Sequence, residues 1–189
     1  MRGDLVRCPW AEGDPLYEAY HDEEWGVPLR DDRRLFEFLI LEGVQAGLSW
    51  ITVLRRREAY RRAFWDFDAE KMASMDDGNV ERLLGESALI RNRRKIESAR
   101  SNAWAFLSLV EAEGSFSDFL WSFVDGIPVK NRRITIKEIP ASTPLSGRLS
   151  GELKRRNFSF VGPTICYAFL QAAGLVNDHL VSCFRYDEV

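Results

Sequence analysis

The sequence predicts one all-α unit, with two helical lobes around a cleft. Three observations carry this. Apolar residues recur with the helical period along most of the chain, while strict apolar–polar alternation is scarce, so strands should be few. Thr143 with Pro144 and Gly162 with Pro163 are helix-start pairs, because proline at the first helical position loses no hydrogen bond. No internal repeat or low-complexity linker divides the 189 residues, which are read as a single domain long enough to bury a core without disulfides.

Taken in order, the long apolar stretch from Arg33 to Leu54 is capped by Asp31 or Asp32, and Gly43 and Gly47 predict a break into two helices. Glu58 to Phe64 continues with mixed charge. Asp76 and Asp77 cap a short helix through Val80, Leu83 and Leu84, a turn follows at Gly85 to Ala88, and a helix runs from about Ile90 to Val110. Phe116 to Val124 is aromatic and helix-like, and Gly126 to Ala141 is the longest irregular stretch. Gly174 reads as the end of the helix that Pro163 opens.

Composition narrows the function. With 46% hydrophobic and 29% charged residues the chain is globular. It has no run of eighteen apolar residues, so no membrane span is expected. Met1 to Trp10 lacks the apolar core of a signal peptide, and three cysteines are too few for a disulfide framework, so the cytoplasm is the expected compartment. The net charge is −3, yet 21 of the 26 basic residues are arginine. They cluster at Arg55–Arg57 with Arg61 and Arg62, at Arg91, Arg93, Arg94 and Lys95, at Lys130, Arg132 and Arg133, and at Lys154–Arg156. Each cluster reads as a solvated helix face or as a local footprint for phosphate. All five lysines fall in basic or surface-like segments, so none is expected to serve as a Schiff-base nucleophile.

The two histidines each have a cysteine partner: Cys8 with His21, and His179 with Cys183. Spacing of four would place His179 and Cys183 on one face of a C-terminal helix. Two thiolates and two imidazoles make a closed structural zinc set that would fasten the two ends of the chain together. Spacing alone equally allows two buried cysteines and two incidental histidines. Cys166, in an apolar helix, is read as core.

Glu42 is the most informative single residue. At helical spacing its face holds Phe38, Leu39, Gln45, Ala46 and Ser49, with Glu37 nearly opposite. A carboxylate there is costly unless it is paired or acts on a ligand, or unless the helix ends near Gly43 and exposes it. Trp10, Tyr17, Tyr20 and Trp25 crowd into sixteen residues, and Trp50 follows Glu42 by two helical turns. Aromatics are ordinarily core. Several converging on a carboxylate would suit a flat cationic ligand.

These segments resemble the 3-methyladenine DNA glycosylase I family. The likeness runs through the RCPW opening at Arg7 to Trp10, YEAYHDEEWGVP from Tyr17, LEGVQAGLSWITVL from Leu41 and FVGPTICYAFLQAAGLVNDH from Phe160. It is collinear from about Arg7 to Cys183. It implies a helix-hairpin-helix architecture, with the hairpin at Leu84 to Asn92 and Arg91, Arg93 and Arg94 toward DNA. It implies one structural Zn2+ per chain on Cys8, His21, His179 and Cys183. It makes Glu42 the acid that recognises the methylated base, Tyr20 and Trp50 the pocket walls, and Trp10, Tyr17 and Trp25 the aromatics around them. Gly47 and Leu48 match the segment that fills the gap left by a flipped nucleotide. Where the family pattern carries glycine before the hairpin's apolar pair, this chain has Ala88.

The implied activity is monofunctional, hydrolytic excision of 3-methyladenine from double-stranded alkylated DNA, releasing the free base without a lyase step. Nothing in the sequence demands more than a monomer. Two other readings compete: a zinc-stapled helical DNA-binding module without catalysis, and a glycosylase of broader lesion range.

Overall fold

The computed structural model describes residues 5–189. Among them, ten α-helices carry the fold: α1 (Pro15–Glu23), α2 (Asp32–Gln45), α3 (Trp50–Leu54), α4 (Arg57–Ala63), α5 (Ala69–Ala73), α6 (Asp77–Gly85), α7 (Arg93–Glu113), α8 (Phe116–Trp121), α9 (Pro144–Arg155) and α10 (Pro163–Ala172). The only sheet among the described residues is one parallel pair, β1 (Val129–Lys130) with β2 (Val176–Asn177), in the register Val129 to Val176 and Lys130 to Asn177. None of the described helices is long and apolar enough to cross a membrane.

The core is built around α2, which is buried from Leu35 to Val44 on every side. It packs against α10, α7, α3 and α8, which is why its sequence reads as a near-continuous apolar run. Both aspartates before it act, on different helices. The Asp31 side chain caps α2 by accepting from the Arg34 amide. The Asp32 carboxylate accepts from the amides of Phe116 and Ser117 and so caps α8. This satisfies two helix N-termini with adjacent residues.

The predicted break falls at one of the two glycines. Gly43 stays inside α2 against Phe160, whereas the chain turns at Ala46–Ser49, where Gly47 takes φ +78°, a conformation that other residues rarely adopt. The helix after the hairpin starts at Arg93, capped by Asn92, and not at Ile90. Ile90 lies in the turn, its amide donating to the Tyr60 hydroxyl. Ala88 has no positive φ, so this turn makes no demand for glycine there. At Gly174 (φ +71°) a side chain would strike the Val27 backbone at 2.3 Å, so glycine both ends α10 and admits the crossing chain.

The structure corrects two expectations about charge. Arg57 is buried, not on a solvated face: it pairs with Glu37 at 2.6 Å and Glu24 at 2.7 Å, tying α1, α2 and α4 together. Lys95 is also buried, at 7% exposure, despite its basic neighbours.

Candidate active site and metal centre

A cavity of about 300 Å3 opens between the N-terminal aromatics, the end of α2, the start of α3 and the outer face of α10. Trp10, Tyr17, Tyr20, Trp25 and Trp50 all line it, together with Glu42. The convergence expected of these six residues is therefore present. Ring centroids are 4.9 Å apart for Trp10 and Tyr17, 4.9 Å for Trp10 and Trp25, and 5.4 Å for Tyr20 and Trp50. At these spacings the rings pack directly on one another and give the cavity a continuous aromatic wall, against which a flat ring system can lie.

Glu42 is 4% exposed and lines the cavity. Its Oε2 has no hydrogen-bond partner, and the Trp50 indole Nε1 beside the same cavity has none either. Buried polar atoms are almost always satisfied, so an unpaired acceptor and an unpaired donor in one cavity mark places for ligand atoms. Burial alone pushes the Glu42 carboxyl up to about 8. It is helix-borne, between Leu41 and Gly43, and not exposed by a helix end. Ser49, expected on the Glu42 face, lies beyond the end of α2, just before α3, its hydroxyl paired with that of Thr52 at 2.8 Å. Trp50 reaches the cavity because the turn folds α3 back, not by continued helical rise.

The rest of the lining comes from segments that local pattern does not connect to Glu42: Ala168 and Gln171, one turn apart on α10, and Ile136 and Ile139, in the irregular stretch. Gln171 donates to the buried Asp178 at 2.8 Å, which fixes its amide. A lone glutamine within the apolar run FLQAAG is the one signal for it in the sequence.

Cys8, His21, His179 and Cys183 meet beside this cavity, all buried, with their ligand atoms within 4.8 Å of one another. Sulfur–nitrogen separations are 3.4 Å (Cys183 to His21 Nε2), 3.5 Å (Cys183 to His179 Nδ1) and 3.7 Å (Cys8 to His179 Nδ1). The other nitrogen of each ring is held in place. His21 Nδ1 lies 2.9 Å from Asp22, itself paired with Arg7, and His179 Nε2 donates to the Trp25 carbonyl at 3.0 Å. Both rings thus turn a lone pair to the centre, as metal-ligating histidines do. The Cys183 thiol is held low, first by Cys8, against the effect of burial, and further by His179 and His21. Cys8 is pushed far up by Cys183 and by burial. Two sulfurs this close ionise together only around a cation, so the donor set fits a metal ion. One expectation fails: His179 and Cys183 do not share a helix. His179 follows β2 and Cys183 sits in a turn, its amide bonded to Leu180. Tertiary folding brings them together without helical spacing.

The residues expected to face DNA are divided. Gly47 and Leu48 are exposed at the turn after α2. Arg91 and Arg94 are exposed and form no ion pair among the described residues, whereas Arg93 pairs with Glu81 and Glu97. The other basic clusters are largely neutralised: Arg55 by Asp14, Lys130 by Asp187, Arg133 by Asp178 and Arg156 by Glu113 and Glu152.

Comparison with known proteins agrees with this geometry. The chain is 53% identical over 182 residues to DNA-3-methyladenine glycosylase 1 of Escherichia coli, covering 96% of this chain and 97% of that protein. It superposes with a TM-score of 0.93 on a crystal structure of 3-methyladenine DNA glycosylase I at 55% identity, covering 95% of this chain and 98% of the other. A variant of 3-methyladenine DNA glycosylase I in complex with 3-methyladenine superposes at 0.91 with 39% identity, covering 94% and 96% of the two chains. The profile of the methyladenine glycosylase family matches residues 10–186, and the chain belongs to that family of enzymes.

Proposed function

We propose that this chain excises 3-methyladenine, a cationic N3-alkylated purine, from double-stranded alkylated DNA by hydrolysis, releasing the free base and cutting no strand. One observation carries the reading: an unpaired carboxylate oxygen on Glu42, buried where it lines an aromatic cavity. A module that only bound phosphates would have no use for it.

Methylation at N3 leaves the purine positively charged and its glycosidic bond weakened. The enzyme must extrude the base, hold it and admit water to the sugar carbon as positive charge develops there. Extrusion costs a few kcal/mol, and less for a damaged base. Stacking against the aromatic wall of Tyr20, Trp50, Trp10, Tyr17 and Trp25 returns about 1–3 kcal/mol per base. Glu42 accepts from the base edge and favours the cation, so unmodified adenine gains less. No covalent nucleophile is required. The buried lysine, Lys95, is held by two carbonyls, at 2.7 Å each, and is not directed at the cavity.

Helices α6 and α7 with the turn between them serve as the helix-hairpin-helix, near residues 80–100. Arg91 and Arg94 flank the amides that head α7, a place suited to phosphate. Arg93, occupied by Glu81, contributes less. Leu48 fills the gap left by the extruded nucleotide. The metal is one structural Zn2+. Tetrahedral zinc with sulfur and imidazole ligands sets them about 3.6 Å apart, close to the separations of 3.4–3.7 Å found here. With four protein ligands it has no open position for substrate. It holds the N-terminal aromatics against the C-terminal segment. The protein acts as a monomer in the cytoplasm.

The test is single-turnover release of 3-methyladenine from alkylated duplex DNA by the wild type and by Glu42→Gln. Release of free base that depends on Glu42 supports the reading. Duplex binding without release of base by the wild type overturns it, and release unchanged in the variant removes Glu42 from the chemistry.

A further inference from the structure

Lys95 is a buried charge without a counter-ion. No carboxylate pairs with it among the described residues, and burial pulls its ammonium below the usual lysine range. A buried charge left so is expensive. Its Nζ donates at 2.7 Å to two carbonyls, Val44 and Ala46, at the C-terminal end of α2. These belong to the carbonyls that a helix end leaves without partners, where a positive charge also meets the negative end of the helix dipole.

The two ends of this contact are functionally distinct. Lys95 lies in the first turn of α7, its own amide capped by Asn92, one residue after the exposed Arg94. The carbonyls it holds bracket Gln45, which lines the cavity, three residues after Glu42 and shortly before the Gly47–Leu48 turn. Leu48 is 38% exposed there, a large apolar side chain standing in solvent. One ammonium therefore joins the helix that meets the DNA backbone to the turn that carries Leu48.

We infer that Lys95 is a positioning residue that locks the Ala46–Leu48 turn to the head of α7, so that engagement of the backbone sets Leu48 at the height of the base stack. The inference rests on the proposed reading of the chain as a base-extruding glycosylase. A purely structural cap of α2 would serve Glu42 and the empty cavity equally. A positioning residue for Leu48 serves only duplex substrate.

The experiment uses Lys95→Met, which keeps the length of the stem and removes the ammonium, with two readouts. Affinity for the free base 3-methyladenine, followed by tryptophan fluorescence, should stay within about twofold of wild type. Single-turnover excision from alkylated duplex should fall about ten- to hundredfold, the range expected for a hydrogen-bonded charge. Adding Leu48→Ala should cost little further in the Lys95→Met background, although it slows the wild type, because both act through one element. Lys95→Arg should keep most of the duplex rate.

Equal losses of free-base affinity and excision rate would make Lys95 a structural cap and overturn the proposal, as would fully additive effects or an unchanged rate. Where Lys95→Met does not fold, Lys95→Gln is read in the same way, and failure of both to fold makes Lys95 a folding residue and also overturns it. A wild type that releases no base from duplex defeats the glycosylase reading itself, which separates that failure from this one.

Discussion

Glu42 is placed where it costs stability, and the cost has a pH signature. Its ordinary value of 4.5 rises to about 8 in the folded chain through burial. Below about pH 4.5 the carboxyl is neutral in both folded and unfolded chains, and it costs nothing. Between 4.5 and 8 the unfolded chain ionises and the folded chain resists, so stability falls with rising pH by roughly 3–6 kcal/mol in all. Glu42→Gln removes this dependence. The melting temperature of the variant relative to wild type should therefore climb from pH 5 to pH 9, and a gap that stays level across that range would show that Glu42 is not desolvated. The same substitution should slow base release about 5- to 150-fold, because a charge-assisted hydrogen bond of about 1–3 kcal/mol is removed. Metal content and duplex affinity should not change. A variant both more stable and less active would mark Glu42 as a site residue that the fold tolerates and does not need.

Two short elements position the chemistry. The turn at Ala46–Ser49 ends α2, exposes Leu48 and returns Trp50 to the cavity, and Gly47 at φ +78° makes that reversal possible. The turn between α6 and α7 is pinned by the buried Leu89 and by the Tyr60 hydroxyl, leaving Arg91 and Arg94 outside. Since most other arginines are already paired with carboxylates, DNA affinity should depend on these two more than their number suggests. Replacing Arg91 and Arg94 with Ala should weaken duplex binding irrespective of sequence. It should also flatten the slope of log affinity against log salt by about one for each phosphate left without its arginine. Titration of duplex at several salt concentrations checks this. An unchanged slope in the double variant would move the footprint elsewhere. Asn92→Ala should cost about 1 kcal/mol of stability by removing the cap of α7, measured by denaturant unfolding.

At the scale of the whole molecule, the buried cluster of Cys8, His21, His179 and Cys183 brings the N-terminal and C-terminal segments together and lies against the pocket wall. His179 donates to the Trp25 carbonyl, and its ring meets the Trp25 ring with centroids 4.5 Å apart. Elemental analysis should find one zinc per chain. Removing the metal with a chelator, or replacing His179 with Ala, should lower the melting temperature, because metal binding energy is also folding energy. Both should also weaken 3-methyladenine binding through Trp25. Fully folded protein purified without any metal would refute the zinc assignment.

Much of this molecule can be read along the chain, because much of its information is local. Helical periodicity, the Asp31, Asp76, Thr143 and Pro163 starts and the Gly174 stop report backbone preferences that act within one turn, and the structure places these elements accordingly. Glu42 and its ring of aromatics stand out because a carboxylate in an apolar run conflicts with burial. The short helices α1 and α5 carry too few apolar repeats to announce themselves, although α1 brings Tyr17 and Tyr20 to the site. The tertiary structure alone decided which charges are solvated. Arg57 and Lys95 sit among basic neighbours in sequence, yet they are buried by helices twenty to fifty residues distant, against Glu37 and the end of α2. It also completed the cavity lining, to which Gln171 and Ile136 come from segments that share no local pattern with Glu42. And it brought His179 to Cys183 through a turn and not a helix, since a cluster of side-chain donor atoms constrains the positions of those atoms and not the backbone that delivers them.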